Sequence, residues 1–179
     1  MPSVYLNPSN AQEEFIIGGS EEYYMNKIAD AMIPYLSGSG IEVTRSKPGE
    51  SLSNAIEDSN KGNYDLHIGL GSLATSYFQT GAQQGPIVLY YDDNPEGRKS
   101  AEIIAENFKS IYPRPDNVAI ISNETLRELK ETKAPTVLVE VGYHNNPLDA
   151  YWIRDNIDVI GRGLALAVSQ YFGIPFVKL

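Results

Sequence analysis

Ala-Pro-Thr-Val-Leu-Val-Glu-Val-Gly-Tyr-His-Asn-Asn, residues 134–146, is the stretch on which the fold turns. Val137, Leu138, Val139 and Val141 read as a buried strand, opened by Pro135 and closed by Gly142. Glu140 stands inside this apolar run. A carboxylate there loses its hydration and needs a partner, a metal or a proton. Desolvation raises its pKa, which suits a general acid or base. The competing reading places Glu140 at the strand's end, facing water or an arginine.

Strands and helices alternate on the way to this segment. Strands are expected at residues 4–6, 41–44, 65–70, 87–91 and 118–121. Helices are expected at 21–36, 51–60, 95–111 and 123–130, and a long final one at 148–171. Ser20 and Ser51 are placed to cap the first two, and Pro34 is expected to kink the first. The stretch 71–85 is small and polar and reads as a loop beside a site. This alternation predicts an α/β fold: a single domain over residues 1–179, with a mixed, mostly parallel twisted sheet of about six strands and helices on both faces.

The chain has 179 residues and a net charge of −9, with no dense basic run, which argues against a nucleic-acid partner. It contains no cysteine, so disulfide and thiolate chemistry are excluded. The first ten residues lack the basic and apolar regions of a signal peptide. No apolar run is long enough for membrane insertion.

Gly69-Leu70-Gly71-Ser72-Leu73-Ala74 fits a loose dinucleotide fingerprint, with Asp92 at the distance of a ribose contact. A true fingerprint opens a helix, and too little chain is available before Gly81. A nucleophile elbow around Ser72 fails because Leu70 and Ala74 flank it. With two histidines, His67 and His144, a three-histidine zinc site within one chain is impossible. Each lies near a strand's C-terminal end, where α/β sites gather. Glu21 and Glu22 start the first helix. Both are favourable beside its dipole, and Glu21 shares the face of Met25, Ile28 and Met32, which points it inward as a candidate metal ligand.

In order along nearly its whole length, the chain resembles the zinc-dependent N-acetylmuramoyl-L-alanine amidases that cut peptidoglycan (the type 3 family). The resemblance runs through Val4-Tyr5-Leu6-Asn7-Pro8, the Gly19-Ser20-Glu21 helix start, Gly40-Ile41-Glu42-Val43-Thr44-Arg45, Asn63-Tyr64-Asp65-Leu66-His67-Ile68 and Gly85 to Tyr91, and is most specific over residues 134–146. It implies a His-Glu-His zinc triad and a second glutamate that activates a zinc-bound water. By position Glu21 is the ligand glutamate, with Glu22 as the register alternative, and Glu140 is the base. The first histidine of the pattern falls on Asn10 and the second on Gly71. The asparagine that follows the second falls on Leu73.

Three readings follow. The metal is held differently, by Glu21, His67 or His144, and one more carboxylate; or the chain is a pseudoenzyme whose cleft (Ser72, Tyr143 and Asn145 among its lining) binds a muropeptide or partner uncut; or the match is to the fold alone. The family implies peptidoglycan or a muropeptide as partner and a place outside the membrane or in the cell wall.

Overall fold

The structure is a computed structural model and describes residues 1–76, 79 and 81–179. Six strands form one sheet: β1 (Ser3–Pro8), β2 (Glu42–Arg45), β3 (Leu66–Leu73), β4 (Ile87–Tyr90), β5 (Ala119–Ser122) and β6 (Thr136–Tyr143). Their order is β2-β1-β3-β6-β4-β5. The first four in that order run parallel, and β4 and β5 run the other way, antiparallel to β6. The helices are α1 (Glu21–Gly38), α2 (Leu52–Lys61), α3 (Pro95–Ile111), α4 (Arg127–Glu131), α5 (Pro147–Asp155) and α6 (Ile157–Phe172). This is the α/β, mostly parallel arrangement that the sequence predicts.

Strand alternation gives the sheet two unlike faces. Val4, Leu6, Leu66, Ile68, Leu70, Val137, Val139 and Val141 are buried in one core with Met25, Ile28 and Met32 of α1 and Ile160 and Leu164 of α6. The alternate positions, including Tyr5, Asn7, His67, Thr136 and Glu140, point to the other face, over which α2 and α4 lie. The chain leaves β1 through α1 toward β2 and returns through α2 to β3 on the opposite side of β1. The crevice at the C-terminal ends of β1 and β3 is therefore the sheet's switch point, where α/β folds place their ligands.

Ser20 and Ser51 cap α1 and α2 as expected, accepting from the backbone N–H groups of Tyr23 and Asn54. Helix α1 runs on through Pro34 to Gly38. Three other expectations are corrected. The long final helix is two helices. Asn156 leaves the helical conformation and its side-chain amide donates to the Trp152 carbonyl at 2.8 Å, taking an acceptor that the helix would use. The helix expected at 123–130 starts only at Arg127, because Asn123 Oδ1 accepts from the backbone N–H groups of Thr125 and Leu126 and holds a turn there. Strand β3 continues to Leu73, where 71–85 reads as loop from the sequence; pairing with β6 holds Gly71 opposite Glu140 and Leu73 opposite Tyr143. Of that expected loop, residues 77, 78 and 80 lie outside the described residues. Strand after Gly71 also removes the dinucleotide reading. Asp92 follows β4, whose Tyr90 pairs with Val137, so it lies at the far end of the sheet from Gly71.

Candidate functional site

Gly69 and Gly71 define the floor of the site. Both point to the polar face of β3, and the space above them is taken by carboxylates from elsewhere. A Cβ on Gly69 would lie 2.7 Å from Glu128 Oε1, and one on Gly71 would lie 2.9 Å from Glu140 Oε2. With Glu21 and Glu50 these groups line a cleft of about 410 Å³ that also takes in Asn7, Asn10 and Ser72.

The carboxylates are held differently. Glu21 is fully engaged. Ser9 Oγ donates to its Oε2 at 2.6 Å, and Ser72 gives both its hydroxyl and its backbone N–H to Oε1. The register of β3 against β6 shifts between Gly71 and Leu73, and this irregularity frees the Ser72 N–H from the ladder. Because the Ser72 hydroxyl donates to Glu21, it accepts from His144 Nδ1 at 2.9 Å.

Glu128 is anchored from behind. His67 Nε2 and Asn7 Nδ2 both donate to its Oε1, at 2.9 and 2.6 Å, and Ser59 Oγ lies 2.8 Å from His67 Nδ1. An ionised carboxylate only accepts, so Nε2 carries the proton and a neutral ring takes the Ser59 hydroxyl proton at Nδ1. Tyr5 stacks on the same ring.

Glu140 is only 8 % exposed, and its Oε2 has no hydrogen-bond partner among the described residues. Burial, then the nearby Glu21 and Glu128, push its pKa up from 4.5 to about 8. At neutral pH it is mostly a neutral acid. The buried carboxyl read from the sequence is therefore present, though it lies opposite a glycine rather than a ligand histidine.

The remaining candidates fall at the edges or beneath. Asn10 lines the cleft, but its amide donates to the Glu50 carbonyl at 2.8 Å and its oxygen accepts from the Gly49 N–H at 3.3 Å, so it clamps the loop before α2. Glu22 turns outward and accepts from Gln12, which settles the inward position on Glu21. His67 is fully buried under the cleft and reaches it only through Glu128. His144 is buried against Phe15 and Ser72. Tyr143 donates its N–H to Asp149, and Asn145 holds both the N–H and the carbonyl of Thr75; neither lines the cleft as Ser72 does. Ser9 and Glu128 are the site residues that sequence reasoning missed.

With this site at the switch point, the class is set by the family model of N-acetylmuramoyl-L-alanine amidase (Amidase_3), which matches residues 11–170. The chain belongs to that family. Solved structures agree on the fold. The N-acetylmuramoyl-L-alanine amidase AmiC2 of Nostoc punctiforme matches with a TM-score of 0.85 at 16% identity, over 96% of this chain and 97% of that one. An N-acetylmuramoyl-L-alanine amidase from Clostridium difficile 630 matches with a TM-score of 0.85 at 20% identity, over 96% and 97%. The CwlD amidase from Clostridioides difficile, solved in complex with the GerS lipoprotein, matches with a TM-score of 0.83 at 14% identity, over 97% and 99%. No curated protein matches the chain. Among the described residues no helix is long and apolar enough to cross a membrane.

The family is generally zinc-dependent, and the residues present here do not fit that ion. An open catalytic zinc site uses three protein ligands. Asn10 is committed to the loop backbone, and Glu21 is committed to three serine donors. No group of three His, Cys, Asp or Glu side chains among the described residues is arranged to hold a metal.

Proposed function

We propose that this chain is a member of the amidase family that binds a peptidoglycan fragment in the cleft without zinc-dependent cleavage. One observation carries the reading: the carboxylate that family position makes a ligand, Glu21, is satisfied by Ser9 and Ser72 in the place of a cation. The cleft itself is kept, at the switch point, with a volume that suits a small ligand. The relatives with solved structures are named as amidases acting on N-acetylmuramoyl-L-alanine bonds, which gives the ligand class. The whole span 1–179 acts as one binding unit around this cleft.

Calorimetric titration of chelator-stripped protein with zinc tests the loss of the metal. The expected trace shows no one-to-one binding at micromolar protein, and a muropeptide incubated with the zinc-supplemented protein stays intact. A stoichiometric zinc isotherm, or release of stem peptide, defeats the reading.

A further inference from the structure

We propose that the cleft binds a primary ammonium group between the free oxygens of Glu128 and Glu140, with an alkyl stem lying on Leu52, Leu70 and Leu138. The proposal rests on the metal-free reading above and names the ligand chemistry of that site.

The cleft is lined by four carboxylates, and no lysine or arginine lines it. Glu21 is used up by the serines, and Glu50 takes the Lys47 N–H at its Oε2. Glu128 takes both of its donors on Oε1, which leaves Oε2 without one among the described residues. The relay Ser59–His67, with Asn7 beside it, fixes the orientation of that carboxylate. Glu140 is more than nine-tenths buried and has an oxygen with no partner at the cleft wall. A desolvated acceptor without a donor, such as Glu140 Oε2, is costly, and a cationic donor beside it relieves that cost.

Geometry selects the kind of cation. A metal needs several oxygens or nitrogens converging at about 2.0–2.6 Å, and no such three-residue group exists among the described residues. An ammonium donates three bonds of about 2.7–2.9 Å in separate directions, so one head group can take acceptors on two side chains that line the same cleft. The three leucines offer an apolar wall to the methylenes of an aminoalkyl chain, which pack on apolar surface while the charged head is paired. The net charge of −9 favours approach of a cation.

The test uses the full chain in calorimetry with Nα-acetyl-lysine amide, which carries the ammonium, and its Nε-acetylated form, which does not. The ammonium form is expected to bind at least about tenfold more tightly. Glu128→Gln keeps an acceptor for His67 and Asn7 while removing the charge at the cleft, and is expected to reduce binding by about tenfold or more; Glu140→Gln serves as a second variant at the other oxygen. Equal binding of the two lysine derivatives overturns the proposal, as does binding indifferent to both variants, or displacement of the amine by stoichiometric calcium or zinc. Muramyl peptides with a free or an acetylated stem-peptide amine separate this proposal from the reading beneath it. Preference for the free amine supports both. Equal binding of the two overturns the ammonium site and leaves peptidoglycan as the ligand. Binding of the lysine amide alone supports the ammonium site and removes peptidoglycan.

Discussion

Glu140→Gln is expected to stabilise the protein at alkaline pH and to remove a fall in stability between about pH 4.5 and pH 8. In the unfolded chain this carboxyl has its ordinary pKa near 4.5; in the fold, burial and the charges of Glu21 and Glu128 raise it to about 8. Between those values the native state holds a proton that the unfolded state has released. Stability therefore decreases as pH rises through the window, and above it the fold carries a buried charge with no partner on Oε2. Three and a half units set a ceiling on the order of 5 kcal/mol. Glutamine keeps the shape and cannot ionise. Urea unfolding at pH 5, 7 and 9 reads the effect, with the two proteins nearly matched at pH 5 and diverging in favour of the variant at pH 9. Parallel pH profiles would show that Glu140 titrates normally and is better solvated than its burial implies. Carboxyl NMR gives the same answer directly, as a midpoint near 8 that vanishes in the variant.

Much of this site was readable before any coordinates. The run Val137 to Val141 around Glu140 marks a buried strand because no exposed strand needs so many apolar residues on both faces. Glu21 is set inward by its spacing from Met25 and Ile28. The part that was not readable depends on contacts distant in sequence. Glu128 sits in a five-residue helix whose polar pattern looks like any solvated surface, and its partners Asn7 and His67 are 121 and 61 residues away. Its one local trace is negative: Gly69 and Gly71, two missing side chains on one face of a strand that also carries a histidine, mean that something else fills the space. Ser9 looks like a turn residue, and only the closeness of the β1 end to the α1 start reveals it as a partner of Glu21. The break at Asn156 is invisible to a hydrophobic stripe because Ile153, Ile157 and Ile160 keep helical spacing across it.

Placing histidines at Asn10 and Gly71 is expected to create a zinc site. Asn10→His gives up the contacts to Glu50 and Gly49, each worth about 1 kcal/mol, and places an imidazole at the cleft rim. Gly71→His puts a Cβ 2.9 Å from Glu140 Oε2. That neighbour is the end of a flexible side chain, so the overlap is relieved by rotation of Glu140 rather than by movement of the sheet. With Glu21 the two imidazoles complete the three-ligand set of an open zinc centre. The remaining obstacle is the hold of Ser9 and Ser72 on Glu21, which zinc must displace. A micromolar dissociation constant corresponds to about 8 kcal/mol, well beyond what those neutral donors contribute, so the double variant is expected to bind zinc at micromolar concentration or better. At a hundredfold excess over that constant, zinc adds about 2.7 kcal/mol to its folding stability, read as a rise in melting temperature over the parent under the same conditions. Adding Ser9→Gly and Ser72→Ala releases Glu21 and should tighten binding further. If the double and the fourfold variants both ignore zinc, Asn10 and Gly71 do not occupy the ligand positions, and the site has diverged in its backbone as well as in its side chains.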